Sequence, residues 1–277
     1  MSEQADLEAQ EQSYTMGYSE EFQMLLRRRS AANCAGHLLP KLGSGMHLLD
    51  VGCGPGTISM GLADVVAPGK LTGVDIEESQ IEIARSAASA GGHKNAEFQV
   101  ADAVKLPFES YSFDVVHAHA ATMHVPDASA AVAEMMRVLK PGGIISSRDI
   151  ILSSCFSEPE HGDFDNAWHV FGKLLSANGG HPEMGKEIKG VLLATGFCDV
   201  SASASFECFA AKEDVDFFHA FASGWFFAEQ TMAAATKLGL ASADDFARWR
   251  ELLDQWQADP AAFAAIAWGE VLAVKPG

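Results

Sequence analysis

The segment LLDVGCGPGT, residues 48–57, decides the fold of this chain. Its apolar start is typical of a buried strand, and its glycine-rich turn leads directly into a helical pattern. In a turn of this kind, glycines let the backbone approach a ligand, and the N–H groups that begin the helix point at it. The glycines are Gly52, Gly54 and Gly56, and Thr57 occupies the position where a dinucleotide-binding GxGxxG pattern needs its third glycine. The turn therefore predicts a ligand site without a dinucleotide fingerprint.

Strands and helices alternate downstream of this turn. Short apolar runs predict strands, and apolar residues spaced three and four apart predict the helices between them. The predicted strands are residues 47–51, 71–75, 96–100, 113–119 and 143–151, and the predicted helices are residues 58–66, 78–90 and 128–139. This alternation predicts an α/β fold, in which a mostly parallel sheet is covered by helices on both faces.

The remaining segments flank this alternation. Apolar spacing predicts one N-terminal helix from about Ser19 to Leu39, closed before Pro40. In the second half we expect helices over residues 164–176, 186–195, 212–238 and 242–258, and strands over residues 197–209 and 263–274. No repeat or Pro/Ser-rich linker divides the halves. We therefore predict an acidic flexible tail (1–18) and a single domain (19–277) with a helical lid at about 160–195 and 212–258.

Composition narrows the class of partner. The 277 residues include 19 Lys+Arg and 37 Asp+Glu, and the resulting net charge of −18 repels phosphate backbones and anionic membranes. No run approaches about 18 apolar residues, so we expect no membrane insertion. The acidic start lacks the features of a signal peptide, and five scattered cysteines without a CxxC pair suit reduced thiols. We expect a cytoplasmic monomer that acts on a small molecule and binds no nucleic acid.

Two carboxylates follow the next two predicted strands. Asp75 ends the strand LTGVD, and Asp102 follows the strand AEFQV. A carboxylate at Asp75 suits the two hydroxyls of a ribose, because charge-assisted hydrogen bonds to it are short and strong. Asp102 is placed to accept a hydrogen bond from an exocyclic adenine amine. These positions predict an adenosine-containing ligand at the carboxyl ends of the strands.

Together these motifs make the sequence similar to the class I (Rossmann-like) S-adenosylmethionine-dependent methyltransferases. The matching segments, in the family's order and spacing, are LDVGCGPGT (49–57), GVD (73–75), ADAVKLPF (101–108), FDVVHAH (113–119) and LKPGG (139–143). The resemblance covers roughly residues 20–150. It implies S-adenosyl-L-methionine as the cofactor and a sheet of seven strands, the last antiparallel to the rest.

The resemblance also implies which residues contact the cofactor. It places Gly52, Cys53, Gly54 and Gly56 around the methionine part, Asp75 at the ribose with Ile76 beside it, Asp102 and Ala103 at the adenine, and His117 under the sulfonium. The family often closes this site with its N-terminal helix. Tyr18 and Arg29 are therefore candidates to meet the cofactor carboxylate.

The segments outside this core are similar to two kinds of small-molecule methyltransferase. One kind acts in ubiquinone and menaquinone biosynthesis. The other comprises fungal thiol methyltransferases that act on epidithiodiketopiperazine (gliotoxin-type) toxins, and here the likeness extends from YTMGY (14–18) to WGEVLAV (268–274). An aromatic stripe, Phe217, Phe221 and Trp225, could wall an apolar acceptor site.

His119 and Asp149 are the candidate catalytic bases, because both stand near carboxyl ends of strands, where open α/β sheets bind ligands. His124 is assigned a structural role, and no metal site is predicted because no third ligand has suitable spacing. A thiol of pKa about 8.5 is already partly ionised at pH 7 and needs little help from a base.

The resulting functional prediction is methylation of the thiols of a small, largely apolar metabolite, such as a dithiol of secondary metabolism. Three alternatives stay open. They are C- or O-methylation of a quinol or phenol, methylation of arsenite bound by Cys155 and Cys208, and cofactor binding without transfer.

Overall fold

One sheet of eight strands runs through the residues that the computed structural model describes, 20–160 and 163–277. Its strands are β1 (Leu48–Val51), β2 (Leu71–Asp75), β3 (Ala96–Val100), β4 (Phe113–His119), β5 (Leu139–Ile150), β6 (Phe156–Glu158), β7 (Cys198–Phe209) and β8 (Phe263–Val274). Strands β1 to β5 run parallel in the order β3-β2-β1-β4-β5. Strand β8 then pairs antiparallel with β5 and, on its other edge, with β7. The predicted mostly parallel sheet with an antiparallel last strand is confirmed.

Strand β6 is the element of the sheet that the sequence does not predict. It is three residues long and pairs with the start of β8, Phe156 opposite Ala265, beyond the end of β5. Strand β5 also begins earlier than expected, at Leu139, because the LKPGG turn joins it through an irregular register next to Phe113.

Ten helices accompany the sheet in the described part of the chain. They are α1 (Glu20–Arg28), α2 (Ala31–Cys34), α3 (Thr57–Val66), α4 (Glu78–Gly91), α5 (Ala128–Val138), α6 (Asn166–Ala177), α7 (Met184–Thr195), α8 (Lys212–Trp225), α9 (Glu229–Lys237) and α10 (Ala243–Ala258). None of these helices combines the length and the apolar character that a membrane crossing requires.

Successive side chains of a strand point to opposite faces of the sheet, and each face packs into its own hydrophobic core. Leu48 joins the core formed with α3 and α4, whereas its neighbour Leu49 joins the core formed with α5 and α7. Both leucines are fully buried. The carboxyl ends of the parallel strands are thereby held in fixed register, which positions the loops that follow them.

Two helices predicted as continuous are divided in the structure. The N-terminal helix stops at Arg28, because the Ser30 side chain accepts a hydrogen bond from the backbone N–H of Asn33 and starts α2 with a capping box. The second helix stops at Trp225, since Ala228 is extended and begins α9. Helix propensity is high on both sides of each break, so periodicity alone does not locate it.

Helix α8 lies against α1 above the carboxyl end of the sheet. Arg28 of α1 forms an ion pair with Asp214 of α8 at 2.6 Å, and its guanidinium lies 4.3 Å from the ring centre of Phe217. This contact joins the start of the described chain to the predicted lid region.

Candidate functional site

A cavity of about 510 Å³ lies at the carboxyl ends of β1 to β4. Its walls are the loops that follow those strands, closed on one side by Phe22 and Leu26 of α1. Nine of the residues predicted for the cofactor or for catalysis line it together: Arg29, Gly52, Cys53, Gly54, Asp75, Ile76, Asp102, Ala103 and His119. Tyr18 lies outside the described residues.

The glycine loop after β1 has the backbone shape that a close ligand approach needs. Gly52 adopts φ 72°, and a Cβ atom at this position would collide with the Cβ of Ala121. Gly56 also has positive φ but packs under α3 against Met60, Ala84 and Phe98 instead of lining the cavity. Of the predicted glycines, Gly52 and Gly54 therefore face the ligand space, and Gly56 shapes the turn.

Asp75 is fixed by two backbone hydrogen bonds at the cavity wall. Its carboxylate accepts from Gly54 N–H at 2.9 Å and from Glu77 N–H at 3.0 Å. Burial raises the pKa of Asp75, and these two N–H donors oppose that rise. Each carboxylate oxygen has a second lone pair, so the geometry fits the two hydroxyls of a ribose.

The adenine end predicted for the cavity offers both an apolar and a polar contact. Ile76 is 70 % exposed although it is a large apolar residue, and it lines the cavity beside Asp75. Asp102 is exposed and accepts a hydrogen bond from the backbone N–H of Val104 at 3.0 Å. An exposed isoleucine beside two carboxylates fits the flat face and the hydrophilic edge of an adenosine group.

A second, narrower cavity of about 100 Å³ opens beside the first, and we call it the aromatic slot. Its walls are mainly aromatic and come from α1, α6, α8, β8, the segment before α6 and the segment after α8: Phe22, Phe164, Trp168, Phe171, Phe218, Phe221, Trp225, Phe226, Phe227 and Trp268. The buried indole N–H groups of Trp168, Trp225 and Trp268 have no hydrogen-bond partner in the part of the chain that the structure describes. The slot is therefore a largely apolar site with aromatic walls.

The aromatic slot and the larger cavity meet at a shared boundary. Phe22, Arg29, Ala120 and His124 line both spaces. A group bound in the slot can thus reach a ligand in the larger cavity next to the end of β4. Two adjoining sites with a common wall are what a transfer between two substrates requires.

His119 lies at the end of β4, in the wall of the larger cavity. Neither ring nitrogen has a hydrogen-bond partner within residues 20–160 and 163–277, and its ring centre lies 4.9 Å from that of Trp268. Burial, together with the nearby guanidinium groups of Arg29 and Arg148, holds its pKa well below the usual range. The imidazole is neutral at pH 7, and it is a weak base.

The structure does not bring His117 and Asp149 to either cavity. His117 is fully buried, and its Nδ1 lies 3.1 Å from the Ser146 hydroxyl. Asp149 is fully buried and accepts hydrogen bonds from Met123 N–H at 3.1 Å and from the Ser147 hydroxyl at 2.8 Å. Burial raises the pKa of Asp149 to about 6. Asp149 thus braces the segment after β4.

Several cavity residues were not assigned to the site from the sequence, among them two with titratable side chains and one tryptophan. His124 lines both cavities, and burial lowers its pKa to about 3. Trp268 and Glu207 line the slot from β8 and β7. The position of His124 in the loop after β4 was a usable signal. Glu207 carried none, because its place depends on how two distant strands pair.

Comparison with known proteins shows the family to which this chain belongs. A family model described as a methyltransferase domain matches residues 42–187, more than half of the chain. An uncharacterized methyltransferase of Schizosaccharomyces pombe is 29 % identical over 193 residues, which cover 67 % of this chain and 69 % of that protein.

Two further relatives carry more specific names. An O-methyltransferase of Pyrenophora dematioidea is 35 % identical over 162 residues, 55 % of this chain and 54 % of the relative. A demethylmenaquinone methyltransferase of Lactococcus lactis is 41 % identical over 101 residues, 36 % of this chain and 40 % of the relative. The matched segment thus spans about half, or less, of these two relatives.

Solved structures share the fold at lower identity. The YcgJ protein of Bacillus subtilis superposes with a TM-score of 0.58 at 20 % identity, covering 87 % of this chain and 97 % of that one. A Haemonchus contortus phosphoethanolamine N-methyltransferase, solved with S-adenosylhomocysteine, has a TM-score of 0.52 at 21 % identity, covering 85 % of this chain and 50 % of that one. Motifs, cavity and family agree: the chain belongs to the methyltransferase-domain family and is an S-adenosyl-L-methionine-dependent methyltransferase.

Proposed function

We propose that this enzyme methylates a hydroxyl of a small, largely apolar aromatic metabolite bound in the aromatic slot. The observation that carries the proposal is the slot itself, whose aromatic walls meet the cofactor cavity at Phe22, Arg29, Ala120 and His124. Apolar walls with a few placed polar groups select ligands of the same character. The name of the Pyrenophora dematioidea relative, an O-methyltransferase, supports oxygen as the acceptor atom.

In this proposal the protein acts by positioning. The bound cofactor supplies a methyl group already activated on a sulfonium. Asp75 holds the ribose, Asp102 and Ala103 hold the adenine, and the slot directs the acceptor towards Ala120. Aromatic walls also exclude water, and reacting atoms held about 3–3.5 Å apart need no further activation of the donor.

S-methylation of a thiol is the second candidate, and the electrostatics of the junction favours it. The histidines there, His119 and His124, are weak bases, and Asp149 lies outside both cavities. A thiol tolerates a missing base better than a phenol of pKa about 10 does.

Arsenite is disfavoured as the acceptor by one of the two cysteines assigned to it. Burial raises the pKa of Cys155 to about 12, so the thiolate that arsenite would need does not form at neutral pH.

A matched pair of acceptors tests the proposal. Purified enzyme, S-adenosylmethionine and either 2-naphthol or 2-naphthalenethiol are incubated, and mass spectrometry follows the methylated product and S-adenosylhomocysteine. We expect turnover of the naphthol at a rate at least comparable to that of the thiol. If only the thiol is methylated, the acceptor atom is sulfur and the proposed O-methylation is wrong. Cofactor binding without turnover of naphthols, quinols, thiols or arsenite would support a binding protein.

A pair of variants on α8 links turnover to the slot. Ala222 lines the slot, whereas Ala220 on the same helix is exposed. Ala222→Phe should fill the slot and lower turnover at least tenfold, while S-adenosylhomocysteine still binds. Ala220→Phe makes the same chemical change on the solvent side and should retain activity. Equal activity of the two variants would place the acceptor elsewhere.

A further inference from the structure

Two opposite charges face the aromatic slot without neutralising each other. Arg29 and Glu207 both line the slot. Neither has an ion-pair partner within 4.0 Å among residues 20–160 and 163–277, so they are also not paired with each other. Both residues are half-buried, so each charge is partly withdrawn from water beside aromatic walls, where a polar ligand group can pair with it.

The neighbouring charges are already engaged. Arg148 is the closest guanidinium on the sheet, and it donates to Glu270 at 3.2 Å and to the Ser205 hydroxyl at 3.2 Å. It also lies 4.6 Å from the ring centre of Trp268. Among the described residues Glu207 has no hydrogen-bonded cation, although it lies on the same side of the sheet as Arg148, whose Nη1 also has no hydrogen-bond partner there.

Arg29 stands at the cofactor end of the slot. It lines both cavities, while Glu207 lines the slot alone. Its Nε is buried without a hydrogen-bond partner among the described residues, and its guanidinium lies 5.8 Å from the ring centre of Trp268. A guanidinium held beside the reacting end of the slot favours an ionised acceptor atom.

We propose that Arg29 and Glu207 hold the two polar ends of the acceptor, which is an aromatic diol. Arg29 binds the hydroxyl to be methylated as its oxyanion, and Glu207 accepts a hydrogen bond from the second hydroxyl. The proton of the first hydroxyl goes to bulk water when the acceptor binds. Its oxygen then forms the new O–C bond as the C–S bond of the donor breaks, and S-adenosylhomocysteine leaves. This inference rests on the proposed O-methylation and adds the substrate class.

Binding to the S-adenosylhomocysteine complex tests the inference without requiring turnover. Calorimetry compares 2-naphthol with the isomeric dihydroxynaphthalenes. We expect at least one diol to bind about tenfold or more tightly than 2-naphthol, since a charge-assisted hydrogen bond is gained. Glu207→Gln should remove that preference and leave the affinity for 2-naphthol unchanged. Glu213→Gln, at the exposed start of α8, is the charge-matched control and should keep the preference.

Arg29→Gln separates the two assignments open for the guanidinium. If Arg29 holds the acceptor, the variant binds S-adenosylhomocysteine as the parent does, weakens 2-naphthol and the diol by about tenfold each, and loses the naphtholate absorption of the bound ligand at pH 7. If the variant instead weakens S-adenosylhomocysteine alone, Arg29 serves the cofactor carboxylate and the inference fails.

The binding data also separate this inference from the proposed function. If the parent binds diols and 2-naphthol with equal affinity, or binds neither, Arg29 and Glu207 do not hold a diol and the inference is wrong. If the parent prefers diols through Glu207 but forms no methylated product, the diol site is supported and the proposed O-methylation is contradicted.

Discussion

At the scale of single residues, Asp75 is the carboxylate most firmly held at the cofactor cavity. Asp75→Asn removes the charge while keeping the shape of the side chain. Because charge-assisted hydrogen bonds contribute about 1.5–3 kcal/mol each, we expect the affinity for S-adenosylmethionine to fall by about tenfold or more. Calorimetric titration measures it, with Glu82→Gln on the exposed face of α4 as the control. An unchanged affinity in Asp75→Asn would remove Asp75 from the cofactor site.

His117 carries a pH effect on stability that does not involve the cavities. Burial lowers its pKa to about 3, below the usual 6.5. The stability that the neutral imidazole contributes is fully present above pH 6.5 and is lost as the pH falls towards 3. The reason is that the histidine binds a proton in the unfolded chain but not in the folded one. Acidification from pH 7 to pH 4.5 should therefore lower the free energy of unfolding of the parent by roughly 3 kcal/mol more than that of His117→Gln. Urea unfolding of the parent and of His117→Gln at pH 7 and pH 4.5 checks this. An equal loss of stability in the two proteins would contradict it.

The face of the sheet to which a residue of β4 or β5 projects depends on the register of the two strands, and the sequence alone does not determine that register. His119 pairs with Arg148 across β4 and β5, so Asp149 projects to the opposite face of the sheet. Two residues predicted to work as alternative bases in one cleft are thus separated by the sheet. Asp75 and Gly52 were predictable because a single strand and its own turn place them.

At the scale of elements, α10 offers a clean test of capping. The Ser242 side chain accepts from Asp245 N–H, and the Asp245 side chain accepts from Ser242 N–H. Ser242→Ala should lower the free energy of unfolding by about 1 kcal/mol, without altering cofactor affinity. Ser86→Ala, on the exposed face of α4, removes only a bond to the Glu82 carbonyl and should change stability little. Equal effects of the two substitutions on urea unfolding would contradict a capping role.

Element prediction succeeded where the signal was local. The alternation from β1 to β5 follows from apolar runs and turns, and the structure reproduces it within a few residues. The breaks at Ser30 and Ala228 were missed because the residues on either side suit helices equally well. The walls of the aromatic slot come from α1, α6, α8, β8 and the segments next to α6 and α8, so their convergence depends on long-range packing.

At the scale of the whole molecule, the cofactor should stabilise the fold. A ligand that binds only the folded chain adds about 2.7 kcal/mol at a concentration one hundred times its dissociation constant. Thermal unfolding with and without S-adenosylmethionine should therefore show a clear rise in Tm. Asp75→Asn should show a smaller rise at the same concentration. Absence of any rise in the parent would contradict the assignment of the larger cavity.

The wall of that cavity has a consequence for product release. Asp75, Asp102 and Asp127 line it against the single guanidinium of Arg29, in a chain of net charge −18. S-adenosylmethionine carries one positive charge that S-adenosylhomocysteine lacks, so the field attracts the spent form less. Rising ionic strength screens this difference and should narrow the affinity gap between the two. The enzyme is thereby poised to resist inhibition by its own by-product, most effectively in dilute salt.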